Sequence, residues 1–351
     1  MRGVVFLGDR KVEVQDFPDP KPGPGEVVVA IKASGLCGSD LKFYREPAGA
    51  ALKTMGLREG GDAEPPALIA GHEPCGVVEE VGEGVDAFAP GDRVIVFHYD
   101  GCGICDSCRT GWTQLCDRGA KIYGATANGG HADYILVPAR TLVKMPDEVS
   151  FSAGAAIACG TGTAFAALQR GQLTGADTLV VYGMGPIGLS AVQFARAMGA
   201  RVLAVDIAPD RLAQAKALGA EVVINSAETD PVAAVKEATG GKGATMGLDC
   251  SGATVARTAA VRSVDRWGRV VLVGINNELN LEASPDVIFR QITIIGSYTF
   301  SIVGMGHCAR FVADHGVDVD AIFSDRWSID DAVKAYEEFD KQTGGKAVIE
   351  F

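Results

Sequence analysis

Apolar residues in the first part of the chain come in short runs broken by glycine and proline. Val27–Ile31, Gly76–Val81, Arg93–Phe97 and Asp133–Val137 are of this kind. Short β-type runs bounded by turn residues predict a compact all-β barrel. The stretch Tyr44–Pro66 breaks the pattern, being polar and rich in glycine. It reads as a long surface loop, and long loops carry function more often than short ones.

The texture changes near residue 155. Apolar runs now recur at Leu179–Tyr182, Val202–Val205, Glu221–Ile224, Met246–Asp249, Val270–Val273 and Ile292–Ile295. Helix-type spacing fills the intervals, as in Ile187, Ala191, Phe194, Ala195 and Met198, with Gly199 placed to end that helix. Strand alternating with helix predicts a doubly wound parallel sheet, so the fold class is α/β. After Thr299 the alternation loosens, and the terminal run Lys346–Phe351 reads as a return to the first domain.

The first glycines of the second domain make this prediction chemical. Gly183, Gly185 and Gly188, with Pro186 and Ile187 between the last two, spell G-x-G-x-x-G between a buried strand and a helix. The first glycine permits a tight turn and the second lets a pyrophosphate approach the backbone. The third lets helix and strand pack, and the helix N-terminus then faces phosphate. Asp206 ends the next strand, about 20 residues on, where a carboxylate binds the ribose hydroxyls of NAD and repels the 2′-phosphate of NADP. Arg211 can reach the adenosine ribose or be a surface residue of the following helix. Val273, Gly274 and Ile275, at the end of a later strand, count with these as coenzyme contacts.

Composition narrows the class. With 47% hydrophobic residues and 22% charged, the chain can bury sizeable cores, and 351 residues suit two domains. A net charge of -12 argues against nucleic acid, which needs a basic face, but not against anionic small molecules. No apolar stretch reaches spanning length and no leader pattern opens the sequence, so no membrane partner is expected and a reducing cytoplasm is the simplest location. The nine cysteines then read as metal ligands and buried thiols rather than a disulfide framework.

Four of them, Cys102, Cys105, Cys108 and Cys116, form C-x2-C-x2-C-x7-C, a spacing that can wrap one tetrahedral zinc. Four thiolates leave no open position, so this zinc would be structural. A second, scattered set is Cys37, His72 and Cys159, which would leave a fourth position open for water or substrate. Individually each of these is ambiguous, because a lone cysteine is usually a buried small hydrophobe.

Taken together, these motifs resemble the zinc-dependent medium-chain alcohol dehydrogenases, the family that includes sorbitol and threonine dehydrogenases. The likeness runs along essentially the whole chain. Besides the glycine fingerprint and the four-cysteine run, it rests on Gly71-His72-Glu73, Gly91–Val94 and Gly129–Tyr134. The resemblance implies a GroES-like catalytic domain at 1–158 with a zinc lobe at about 98–120, an NAD-binding Rossmann domain at 159–298, and a segment 299–351 that returns to the catalytic domain. It also implies a cleft between the domains, two zinc ions per chain, a small alcohol or carbonyl substrate, and a homodimer or homotetramer.

By the same resemblance, Cys37, His72 and Cys159 match the catalytic zinc ligands. Glu73 matches a carboxylate that can exchange with water at the metal, and Asp40 one that orients the histidine. Ser39 matches the hydroxyl that takes the substrate proton, and Lys346 a basic residue near the pyrophosphate. The implied activity is reversible oxidation of a secondary alcohol, polyol or similar polar alcohol to the ketone or aldehyde. Two departures stand out. Lys42 occupies the position where many members end the proton relay with histidine, and His98 stands where an aromatic usually lines the substrate pocket. His98 suits a pocket that tolerates hydroxyls or a carbonyl, or else is simply hydrogen-bonded into its loop. Tyr123 and Trp112 are further pocket candidates, while His131 reads as an internal residue of a β segment. The alternatives are a zinc-free NADPH quinone or enoyl reductase, which lacks the four-cysteine lobe, and a non-catalytic coenzyme-binding protein, which would have lost the zinc ligands.

Overall fold

The computed structural model describes residues 1–54, 68–275 and 277–351. Its chain divides into two units. The first holds Met1–Cys159, Ser301–Asp314 and Phe323–Phe351, and the second Gly160–Phe300 and His315–Ile322. Two boundaries therefore differ from the sequence reading: Cys159 belongs to the first unit, and 299–351 does not return as one piece. His315–Ile322 stays with the second unit because Gln193 Nε2 donates to the Asp318 carbonyl and Gln214 Nε2 to that of Ala321.

In the second unit six parallel strands stand in the order Val222–Asn225, Arg201–Asp206, Thr178–Tyr182, Ala244–Asp249, Val264–Leu272, Thr293–Gly296. Numbered along the chain this is 3-2-1-4-5-6, the doubly wound order, whose ligand crevice lies where the winding reverses, beside Thr178–Tyr182 and Ala244–Asp249. A parallel sheet is covered on both faces, which explains why these strands are continuous apolar runs. Val180, Tyr182, Leu203, Val205, Val261 and Val270 share one core. Helix Pro186–Ala197 starts with proline in its first turn, where no N–H is needed. It ends on Gly199 at φ +88, with Gly199 N donating to Arg196 O and Ala200 N to Ala195 O, the paired bonds of a Schellman cap.

In the first unit the eleven-residue strand Glu26–Leu36 is the organiser. It pairs with Pro74–Val81, with Tyr134–Pro138 near its start and with Lys346–Glu350 near its end, inside a seven-stranded sheet. Alternate residues Val27, Val29 and Ile31 enter a core with Val78, Val94, Val96, Ile135 and Val137, as the period of two requires. Leu36, Leu41, Tyr44, Tyr336 and Ile349 form a second cluster. The expected loop Tyr44–Pro66 is thus anchored at its start: Tyr44 is buried at the end of helix Asp40–Arg45, and a further helix spans Ala50–Thr54. Residues 55–66 of that loop lie outside the described residues. Among the described residues, no single helix is long and apolar enough to cross a membrane.

Candidate active site

The three scattered ligand candidates meet because the end of one strand, the start of its neighbour and the end of a helix come together. Cys37 follows strand Glu26–Leu36, and His72 and Glu73 lead into strand Pro74–Val81, which pairs with it through Ser34 and Pro74. Cys159 follows helix Phe151–Ile157. One ligand atom from each of Cys37, His72, Glu73 and Cys159 lies within 4.8 Å of the others. Gly71, at φ +86, permits the turn before His72, and a side chain there would collide with the His131 ring.

The electrostatics fit a dication. The Cys37 and Cys159 sulfurs are 3.9 Å apart, far beyond the roughly 2.05 Å of a disulfide. Zinc with ligands at about 2.3 Å sets sulfurs about 3.8 Å apart at tetrahedral corners. The bond from Cys159 lowers the Cys37 pKa, with His72 helping against burial, while the same bond and burial raise that of Cys159. Asp40 Oδ1 sits 2.8 Å from His72 Nδ1, and its Oδ2 accepts the Cys37 N–H at 2.9 Å. Asp40 thereby fixes the ring and leaves Nε2 as the ligand atom. Ser39 Oγ is 3.3 Å from that Nε2. A metal on Nε2 would occupy the lone pair and free the hydroxyl for another partner.

Two further site candidates are buried here. Lys346 is only 1% exposed, pairs with Glu73 and donates to the Leu36 carbonyl at 3.0 Å. Its strand delivers it beside the Cys37 loop, where its charge faces Glu73 and the thiolates. Gly35 makes room for the pair, since a Cβ there would collide with the Glu73 carboxylate. Burial raises the Glu73 pKa, Lys346 opposes this, and Cys37 adds to it. His98 is buried, with Nδ1 3.2 Å from the Ala158 carbonyl and its ring 5.0 Å from that of His72. Burial, reinforced by His72, holds its pKa down at about 3, so it is a neutral wall of the site and not a proton carrier at neutral pH. Tyr123 is packed in the β-sheet core, and Trp112 belongs to the cysteine lobe.

In that lobe the four sulfurs also lie within 4.8 Å of one another, with Cys102–Cys108 at 4.0 Å and Cys105–Cys116 at 3.9 Å. These again match the edges of a zinc–thiolate tetrahedron and exclude disulfides. The lobe offers only a four-residue helix, a short 3-10 turn and a two-residue hairpin pair. Gly101 leaves space for a sulfur: a Cβ there would come within 2.5 Å of Cys108 Sγ.

The nucleotide motif has the expected shape. Gly183 takes φ +93, and a Cβ on Gly188 would collide with the Gly183 carbonyl. A Cβ on Gly185 would meet no protein atom within 4 Å, so this is the open face that a pyrophosphate could approach. Asp206 is buried, its Oδ2 accepting Met184 N–H at 2.6 Å and its Oδ1 accepting Ile207 and Ala208 N–H at 2.7 and 2.9 Å. Arg211 lies half-buried in the first turn of helix Pro209–Ala217. Val273 is buried, and Gly274 is pressed against Gly252, where a Cβ would collide with backbone. Ile275 is exposed.

Sequence reasoning missed what holds that end of the sheet together. Asp249 is fully buried, accepts Ser251 and Gly252 N–H, and pairs with Arg257 at 3.0 Å. Arg257 also donates to the carbonyls of Gly274 and Asn277, joining the loops after two adjacent strands. Its signal was the acid closing the fourth strand, at the point where the winding reverses.

The described geometry agrees with comparisons to known proteins. Residues 23–147 match the alcohol dehydrogenase GroES-like domain and residues 186–313 the zinc-binding dehydrogenase domain. The uncharacterized zinc-type alcohol dehydrogenase-like protein YphC of Escherichia coli K12 is 38% identical over 100% of this chain and 99% of its own. Sorbitol dehydrogenase of Bacillus subtilis 168 is 31% identical over 96% of this chain and 93% of its own. The solved structure of alcohol dehydrogenase TADH from Thermus sp. ATN1 superposes with a TM-score of 0.89 at 30% identity, covering 100% and 99% of the two chains. The chain belongs to the zinc-dependent medium-chain alcohol dehydrogenase family and is an oxidoreductase of small molecules.

Proposed function

We propose that the protein is an NAD-dependent dehydrogenase that oxidises a secondary alcohol or polyol at a zinc held by Cys37, His72 and Cys159, with a second, structural zinc in the four-cysteine lobe. The observation that carries this reading is the convergence of two thiols, one imidazole and Glu73 within 4.8 Å, beside Ser39. When bound, the metal acts as a Lewis acid that makes an alcohol proton easier to remove, and the nicotinamide accepts the hydride.

The chain's own residues do the rest. Asp40 holds His72 in one tautomer through the bond to Nδ1. Ser39 Oγ lies 3.3 Å from the ligand nitrogen, and it accepts the substrate proton and passes it on. Neutral His98 supplies a polar wall that suits a second hydroxyl on the substrate, and the polyol named by the Bacillus relative has that chemistry. Lys346 keeps Glu73 in place against the thiolates. Asp206 is the basis for expecting NAD rather than NADP.

The test is NADH production against a panel of diols, polyols, sugars and simple alcohols, together with metal analysis. Two zinc ions per chain and a preferred polar secondary alcohol are expected. Cys37→Ala should lower turnover at least 100-fold and leave one zinc, while coenzyme binding persists. Unchanged turnover in Cys37→Ala refutes the zinc mechanism.

A further inference from the structure

His72 is the end of a buried polar chain that runs to a helix near the C-terminus. Beyond Asp40, whose Oδ2 lies 3.5 Å from the Tyr336 hydroxyl, Tyr336 meets His131 Nε2 at 2.7 Å. His131 Nδ1 in turn meets Ser34 Oγ at 2.7 Å. Asp40, Tyr336, His131 and Ser34 are each at most 1% exposed, so water does not compete for these contacts.

Donor counting gives the chain a direction. Tyr336 has one hydroxyl proton, and a charged carboxylate only accepts. A phenol lone pair aimed at Asp40 would be repelled, so the proton points to Asp40. His131 must then donate from Nε2 to the phenol oxygen, which leaves Nδ1 to accept from Ser34. Burial holds the His131 pKa down at about 4, so the ring is neutral and can be donor and acceptor at once. Every link points toward Asp40 and adds to its hold on His72. Four elements of the first unit meet in it: strand Glu26–Leu36, helix Asp40–Arg45, the turn before strand Tyr134–Pro138, and helix Ala332–Asp340.

We infer that Tyr336, set by His131 and Ser34, is a positioning residue that orients Asp40 and through it the metal-binding His72. The inference rests on reading Cys37, His72 and Cys159 as a zinc site. A purely structural role, satisfying buried polar atoms, predicts lower stability and unchanged metal binding.

Tyr336→Phe removes only the hydroxyl. The ring keeps its packing on Phe6, at 4.9 Å between centroids, and on Tyr44, at 5.7 Å. In the full-length protein, zinc release to a colorimetric chelator is measured with the four-cysteine zinc as internal control, and the visible spectrum is taken after cobalt(II) exchange. Tyr336→Phe should weaken the His72 site by about tenfold, the lower end of the effect of losing a ligand's outer partner. It should shift the cobalt bands and leave the cysteine-lobe zinc unchanged. His131→Phe should do the same, and the double variant should be no worse than either single one, as members of one chain require. Wild-type zinc affinity and cobalt spectrum in Tyr336→Phe overturn the inference, and so do losses that multiply in the double variant. Should Tyr336→Phe not fold, Ser34→Ala breaks the far end, and unchanged zinc affinity there has the same force. A wild type that binds one zinc per chain fails the site reading as well, whereas two zincs with unaffected variants fail the inference alone.

Discussion

Asp206 carries two loads, and they can be separated. Its carboxylate ties down the N–H groups of Met184, Ile207 and Ala208, and in the proposed function its charge also opposes a 2′-phosphate. Removing the side chain frees three N–H groups around one point, a backbone arrangement that binds anions. Asp206→Ala is therefore expected to raise the ratio of NADP to NAD catalytic efficiency at least tenfold. Steady-state kinetics with both coenzymes check this, and an unchanged ratio would show that Asp206 is only a backbone staple. The place of this residue at the strand end was legible because a fixed motif precedes it. Cys37, His72 and Cys159 were legible for the same reason, each standing in a short glycine-flanked motif that specifies a turn. Lys346 was not. A lysine before an apolar run reads alike beside a pyrophosphate or beside a carboxylate. The pairing of Lys346–Glu350 with a strand about three hundred residues earlier is what puts the lysine beside the Glu73 carboxylate. Tyr336 was missed because a tyrosine in an amphipathic helix looks like core.

Elements were readable where burial is two-sided. The parallel strands announced themselves as apolar runs, but strand Val264–Leu272 begins well before its apolar part, since Asp265, Arg266 and exposed Trp267 carry no alternation. What fixes the register at that end of the sheet is Asp177. Its Oδ2 accepts from Thr174 N–H at 2.8 Å and from Arg269 Nη2 at 2.7 Å, and its Oδ1 from Thr245 Oγ1 at 2.7 Å. One carboxylate thus joins the starts of strands Thr178–Tyr182 and Ala244–Asp249 to Arg269 within strand Val264–Leu272, at the end of the strands opposite the glycine motif. Burial raises its pKa, but Arg269, Thr245 and Thr174 outweigh burial and bring it down to about 2. An unfolded aspartate titrates near 3.9. The folded value is the lower one, so the stabilisation is complete above about pH 4 and is lost as pH falls toward 2, amounting to about 2 kcal/mol at neutral pH. Asp177→Asn should accordingly be less stable than wild type by about that much at pH 6, with the gap narrowing below pH 4. Urea unfolding at pH 6 and pH 3.5 measures it, and a gap that widens in acid contradicts the assignment.

At the scale of the molecule, the chain order and the folding units do not coincide. The chain leaves the first unit after Cys159, re-enters it at Ser301–Asp314, departs for His315–Ile322 and returns at Phe323. Nothing in composition marks the eight-residue excursion, which is held by buried Val319 and Ile322 and by the carbonyls of Asp318, Ala321 and Ile322 that accept from Gln193 and Gln214. Local opening follows cooperative units rather than sequence neighbours. Amides in 315–322 that are protected should therefore exchange with helices Pro186–Ala197 and Pro209–Ala217 and not with the flanking 302–314 and 323–340. Ligand linkage sharpens the contrast, since a ligand that binds only the folded form at 100 times its dissociation constant adds about 2.7 kcal/mol to the unit that holds it. If NADH binds at Gly183–Gly188, a saturating amount should slow exchange in 315–322 together with Thr178–Ala217, and change 323–340 much less. Hydrogen exchange read by mass spectrometry resolves these peptides. Exchange of 315–322 that follows its flanks, with and without NADH, would place the excursion in the first unit and overturn the division drawn here.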